Sequence, residues 1–266
     1  MDQENKKVQG WHKLTDEEYF SDPGYSALQA SSIKNLLRSP AHYQAGLVDD
    51  SQTPAMEFGT ALHNLILEPE LGQVVEAPDC RRGTKEWNAF EAENEGKLLL
   101  KPDEFRAAKM MQEELFKNKT AKMLLQGGRA EITGFVQFPK FWGKCKVDYL
   151  LEDINVLVDY KTTTDARLTQ FSKKVIDYGY DISAAWYLDL ARMITGEYFE
   201  YVFIAQEKTP PFAVQVFSTP AQILMLGSKK IVKAIEIYEK CLETNEWPAY
   251  PDELTPLTVP AWALNE

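Results

Sequence analysis

The chain reads as an α/β (α+β) protein in which helices flank a central mixed β-sheet. Three observations predict this. Three consecutive segments between residues 130 and 164 are rich in Val, Ile, Thr and aromatic residues, with turn residues between them. Segments of helical spacing stand before and after that block. The length of 266 residues, 44% of them hydrophobic, suits a single large domain over 1–266, two small ones being the alternative, with residues 1–24 as a polar lead-in.

In chain order, "SALQASSIKNLLRSPAHYQAG" predicts a short helix. Ser31 or Ser32 caps it, Ile33, Leu36 and Leu37 form its apolar stripe, and Pro40 closes it. "TPAMEFGTALHNLILEPE" gives a second helix through Phe58, Leu62, Leu65 and Ile66, ended by Pro69. Residues 79–97 turn charged and then helical, and "DEFRAAKMMQEELFKNKTAKMLLQ" is a clearer helix that stops at Gly127-Gly128. "AEITGFVQFP", "WGKCKVDYLLE" and "NVLVDYKTTT" then read as a meander of antiparallel strands. Helical spacing follows from Ala166 to Ile176, and "DISAAWYLDLARMITG" is a strong helix ended by Gly196. "YFEYVFIAQE" and "FAVQVFST" supply two more strands, and "PAQILMLGSKKIVKAIEIYEKCLETN" a final long helix. No internal repeat or low-complexity segment interrupts the pattern.

Composition narrows the function. The first ten residues lack the apolar stretch of a secretory signal, and no later segment is long enough to cross a bilayer, so a soluble cytoplasmic protein without membrane contact is expected. Cys80, Cys145 and Cys241 are odd in number and widely spaced, which argues against a zinc site or a disulfide framework. A net charge of −11 opposes non-specific nucleic-acid binding, so any such reading must rest on local features. Neither G-x-G-x-x-G, G-x-x-x-x-G-K nor G-x-S-x-G occurs, which leaves no support for a metabolic α/β enzyme.

The local feature is Asp159-Tyr160-Lys161. An acid two positions before a lysine is common by chance, and two other such triplets, Glu4-Asn5-Lys6 and Glu95-Gly96-Lys97, lie in a polar tail and beside a glycine turn. Only Asp159 and Lys161 fall on a predicted strand, where residues two apart share a face. The link "EDIN" is short enough for a hairpin, which sets Asp148 across from Asp159. Two carboxylates so close are unfavourable without a cation, and their oxygens suit Mg²⁺ or Mn²⁺. A surface hairpin whose Asp and Lys pair with one another fits the same spacing.

Several stretches, in order and covering roughly residues 25 to 190, carry a resemblance: "ASSIKNLLRSPAHYQA", "MEFGTALHNLILEPE", "RRGTKEWNAFEAEN", "KCKVDYLL", "LVDYKTTTDA" and "YDISAAWYLD". Together they resemble the PD-(D/E)XK nuclease superfamily, within it the RecE-type (exodeoxyribonuclease VIII) exonucleases of phage and prophage recombination. The resemblance implies that Asp148 and Asp159 bind a catalytic Mg²⁺ or Mn²⁺, that His63 joins them, and that Lys161 positions the attacking water. Alone, His63 reads more readily as an interior histidine, and its G-x-x-x-H context reverses that; Gly59, one turn earlier on the same face, would admit backbone or substrate. Glu131 is either a further ligand, a residue supporting the ligands, or a solvated strand end. Tyr187 matches the tyrosine of a Q-x-x-x-Y motif whose glutamine is here Ser183, a departure from the pattern.

For DNA contact, Arg81, Arg82 and Lys85 form a basic glycine-containing loop, and the helix opened at Ser31-Ser32, with Lys34 and Arg38, offers free amides to a terminal phosphate; a solvated loop and simple capping are the plain alternatives. Trp87, Trp142 and Trp186 are available for stacking, though most aromatics belong to cores. The resemblance implies digestion of linear double-stranded DNA from its 5′ end, leaving 3′ tails for a RecT-type single-strand annealing protein. It also implies a ring-shaped homo-oligomer, a trimer or tetramer, whose channel is basic and whose exterior is acidic. An endonuclease on the same scaffold and a catalytically silent DNA-binding module are the competing readings.

Overall fold

The computed structural model describes residues 9–15, 18–19, 27–47 and 54–259. Its strands are β1 (Gly10–Lys13), β2 (Val74–Glu76), β3 (Leu98–Leu100), β4 (Arg129–Gln137), β5 (Trp142–Leu151), β6 (Val156–Thr163), β7 (Glu200–Glu207) and β8 (Val214–Ser218). The helices are α1 (Ala30–Arg38), α2 (Pro40–Gly46), α3 (Pro54–Leu67), α4 (Lys85–Glu93), α5 (Pro102–Lys117), α6 (Lys119–Leu124), α7 (Leu168–Asp177), α8 (Tyr180–Thr195) and α9 (Ala221–Thr244). Among the described residues no helix is long and apolar enough to cross a membrane.

Six strands form one sheet in the order β1-β4-β5-β6-β7-β8, antiparallel except for the parallel β6–β7 pair, which α7 and α8 connect. That is the predicted mixed sheet. Two hydrophobic clusters cover its faces. On one side α1, α8 and α9 pack through Ile33, Leu36, Trp186, Leu190, Ile231 and Ala234 onto Leu150, Leu157 and Phe203. On the other, α3, α5 and α6 bring Leu62, Leu65, Met111 and Leu115 against Tyr149, Val158, Tyr160 and Ile204. Each buried Leu, Ile or Phe removes apolar surface worth about 1.5–3 kcal/mol, so both layers fasten the sheet from above and below.

Three sequence expectations need correction. Neither Ser31 nor Ser32 caps α1; the N-cap is Gln29, whose carbonyl oxygen accepts the Ile33 N–H at 2.9 Å, and both serines lie inside the first turn. As expected, α1 ends at Arg38, just ahead of Pro40, but Pro40 also starts α2, because a proline at the first helical position forfeits no hydrogen bond, and Ser39 caps it by accepting the His42 N–H at 3.3 Å. The long helix expected before Gly127 is two, broken at Asn118, whose side chain caps α6 by accepting from the Ala121 N–H at 3.1 Å. The polar lead-in of residues 1–24 lies largely outside the described residues, yet within it Gly10–Lys13 is a strand paired with β4. The short parallel pair β2–β3 was not expected either.

Candidate functional site

The pairing of β5 with β6 runs from Leu151↔Val156 to Tyr149↔Val158 and goes no further, whereas β6 pairs with β7 along its whole length. Beyond Tyr149 the two strands part into a fork, and Asp148 and Asp159 stand at the next register position, as the hairpin expectation required. In the fork the Tyr160 peptide finds side chains where a strand would be. Its N–H donates to Asp148 Oδ2 at 2.8 Å, and its carbonyl oxygen lies 3.1 Å from His63 Nε2 on α3.

On the outer side of β5, Glu131 faces Asp148 across the β4–β5 ladder, between the pairs Ala130↔Tyr149 and Ile132↔Val147. Glu131 has φ 50°, the left-handed region that β-strands avoid. The usual alternation of faces breaks there. Ala130 packs with the α3 layer but Ile132 with the α1 layer, and on β5 Tyr149 and Val147 divide in the same way. This turn of two neighbouring strands aims the carboxylates along the sheet toward α3.

His63, Glu131 and Asp148 thereby offer three ligand atoms all within 4.8 Å of one another. A carbonyl oxygen only accepts, so His63 Nε2 carries its proton and Nδ1 presents a lone pair to the carboxylates, 3.6 Å from Glu131 Oε1 and 3.8 Å from Asp148 Oδ2. A lone pair facing two carboxylates is repulsive unless a proton or a metal ion lies among them. Burial opposes charge on His63, but Asp148 and then Glu131 outweigh it and push its pKa up. Burial pushes Asp148 up, whereas at Glu131 the opposing pull of His63 and Lys146 wins over burial and holds the carboxyl down at about 2. Among the described residues Glu131 Oε1 is buried without a hydrogen-bond partner, as is Asp159 Oδ2. The donor set of one imidazole nitrogen and carboxylate oxygens, with two acceptors left over, fits a divalent cation.

Asp159 stands beside this group without being one of its three members. Its Oδ1 pairs with the Lys161 ammonium, which also lies 4.0 Å from Asp148 Oδ2. Although burial works against the charge of Lys161, Asp159 and Asp148 raise its pKa further, so the ammonium is permanent. Tyr187 packs edge-on to Tyr201, ring centroids 6.2 Å apart, and makes no hydrogen bond among the described residues. Ser183, at the departure from the glutamine pattern, is buried in α8. A Cβ at Gly59 would meet nothing within 4 Å, so protein packing does not require that glycine.

The expected DNA contacts divide. Lys34 reaches the neighbourhood of Lys161 and Asp159, and Ser32 is buried at the base of the same helix. Arg38 is exposed and donates to Tyr250 Oη at 3.4 Å. Arg81, Arg82 and Lys85 are exposed before and at the start of α4; Arg82 pairs with Glu57 of α3 at 2.9 Å and lies over Trp87. Trp87 and Trp186 are core residues and Trp142 is half-buried. Sequence reasoning missed Lys146, 3.0 Å from Glu131 Oε2, and the buried Asp181 with its partner Lys230; the alternation of "KCKVD" across from Glu131 was the available signal for the first.

No curated protein matches this sequence. Among solved structures the chain is similar to a "Putative exonuclease" from Eubacterium rectale, with 15% identity, a TM-score of 0.62, and 91% of this chain and 97% of that one covered. It is more loosely similar to a phage related exonuclease from Haemophilus somnus 129PT, at 12% identity and a TM-score of 0.36, over 83% of this chain and 96% of that one. The first likeness establishes a shared fold, and the second is too loose to add to it. The model of the PDDEXK-like domain of unknown function (DUF3799) matches residues 29–255, a span that includes the fork and every residue in it. The chain therefore belongs to the PDDEXK-like family (DUF3799) and has the fold of the PD-(D/E)XK nucleases.

Proposed function

We propose that the protein is a metal-dependent DNA exonuclease that hydrolyses linear double-stranded DNA from the 5′ end and leaves 3′ single-stranded tails. The observation that carries this reading is the convergence of His63 Nδ1, Glu131 and Asp148 beside a Lys161 ammonium, with Glu131 Oε1 buried and unpartnered. The name of the similar solved structure from Eubacterium rectale supports it. A divalent cation, Mg²⁺ or Mn²⁺, held by these three residues with Asp159 alongside would polarise a phosphate oxygen and make a water more acidic. The imidazole among the ligands suits Mn²⁺ somewhat better than an all-oxygen site would.

The chain's own groups do the rest. Tyr160 fixes the His63 ring through Nε2 and Asp148 through its N–H, so both ligands are held before substrate arrives. Lys161, held by Asp159, orients the attacking water and balances charge that develops on the phosphate. The water oxygen bonds to phosphorus, the bond from phosphorus to the 3′ oxygen breaks, and the water's proton ends on that leaving oxygen. A ring-shaped trimer or tetramer and hand-over of the 3′ tail to a RecT-type annealing protein belong to the same proposal.

The test is nucleotide release from linear duplex DNA with Mg²⁺, Mn²⁺ or EDTA, comparing 5′-phosphate ends, 5′-hydroxyl ends and a covalently closed circle. Metal-dependent digestion that spares the circle is expected, faster from 5′-phosphate ends. Cutting of the circle would replace the reading with an endonuclease, and no cleavage with either metal would replace it with a silent binding module.

A further inference from the structure

Lys34 leaves α1 and its stem crosses the turn between α7 and α8. A Cβ on Gly179 would stand 3.0–3.3 Å from the Lys34 methylenes, and Gly179 has φ +64°, so glycine both makes the turn and clears the passage. The ammonium ends 5.6 Å from the centroid of the Tyr180 ring, and that of Lys161 ends 5.5 Å from the same centroid. Among the described residues Lys34 makes no hydrogen bond and no ion pair. Both neighbouring carboxylates are engaged elsewhere, Asp159 by Lys161 and Asp181 by Lys230 at 2.6 Å, and Asp181 Oδ1 accepts no hydrogen bond from it.

An ammonium in a half-buried place without a protein acceptor is costly. Its burial, and then the like charge of Lys161, pull its pKa down to about 8. A core lysine would not be left so beside a catalytic cluster; a cation waiting for an anion would. The charges that act most on Lys34 are Lys161, Asp159, Asp181 and Lys230. Through the shared Tyr180 ring it stands next to Lys161.

We propose that Lys34, seated between Gly179 and Tyr180, binds a backbone phosphate of the nucleic-acid strand next to the phosphate held at the metal cluster. This rests on the nuclease reading and adds to it a strand-positioning contact. Both ammoniums lie over the Tyr180 ring, which offers them its π-electrons. Two cations in sequence suit two successive phosphates of one strand, so the substrate is a polynucleotide and not a single phosphodiester.

The test is fluorescence anisotropy of a labelled oligodeoxynucleotide, titrated with wild type, Lys34→Met and Lys34→Arg over a range of salt, in EDTA and again in Ca²⁺. Loss of one charge-assisted phosphate contact should weaken binding about tenfold or more and lower the slope of log K against log salt by about one. Lys34→Arg, which keeps the charge, should recover most of both. Unchanged affinity and slope in Lys34→Met would overturn the proposal, as would an equal loss in Lys34→Arg, which would point to packing. Should wild type bind no oligonucleotide in either condition, the nuclease reading falls together with this one.

Discussion

Replacing Glu131 with Gln removes one anionic ligand while keeping the shape of the side chain, and its effect is largest on the stability that a metal ion confers. In wild type, a divalent ion at a hundredfold excess over its Kd stabilises the folded state by about 2.7 kcal/mol. For a chain of this size 1 kcal/mol moves Tm by about 2–4 °C, so Mn²⁺ against EDTA should raise Tm by about 5–11 °C. Glu131 contributes a carboxylate whose Oε1 is buried without a partner and lies 3.6 Å from His63 Nδ1, so the ion gains its full charge there. A tenfold to hundredfold loss of affinity in Glu131→Gln leaves about 1.4 to 0.4 kcal/mol at the same concentration, a shift of about 1–6 °C. Scanning calorimetry of wild type, Glu131→Gln and Asp159→Asn, each with and without Mn²⁺, measures this directly. A full shift in Glu131→Gln together with its loss in Asp159→Asn would refute the reasoning, and would return the ligand set to His63, Asp148 and Asp159.

Asp148→Ala, Asp159→Ala and Lys161→Ala should each abolish cleavage of linear DNA while the circular dichroism spectrum stays that of wild type; normal activity in any of the three removes that residue from the site. Gln206→Leu should cost about 3 kcal/mol or more in urea unfolding, because the buried amide accepts from Tyr160 Oη at 2.6 Å and donates to the Met111 and Phe212 carbonyls at 2.8 and 3.2 Å, and each orphaned group costs about 1–3 kcal/mol. A cost below 1 kcal/mol would mean that water takes over those partners. Burial pushes the Cys145 thiol up from 9.0 to about 12, so on raising the pH the unfolded chain loses that proton first. Stability from this thiol is complete below pH 9 and falls between pH 9 and 12; wild type should lose about 1.4 kcal/mol per pH unit in that window relative to Cys145→Ala, and parallel pH curves would contradict it.

The hairpin of β5 and β6 was legible because β-branched runs, a short link and a period of two set Asp148 across from Asp159 without further information. His63 was legible only with its sequence context, since its ring meets the Tyr160 carbonyl through a helix brought in from the other side of the sheet. Glu131 was left among three roles because its left-handed backbone, which brings it into the ligand group, has no signature in "RAEIT". The extent of the lysine network was hidden for a similar reason. Lys34 and Gly179 are far apart in sequence, and nothing local says that one crosses the other. The missed helix starts were matters of punctuation: Pro40 and Asn118 each let one helix end and another begin, and the sequence reading took only the ending at Pro40 and neither at Asn118.

The Tyr160 peptide, held by Asp148 on its N–H and by His63 at its carbonyl, gives the site a reporter that is independent of turnover. Slow hydrogen exchange at that one amide depends on a carboxylate and not on a neighbouring strand. Deuterium uptake at Tyr160 therefore follows whether the mouth of the fork is closed, and distinguishes a chemically silenced site from one that has come apart.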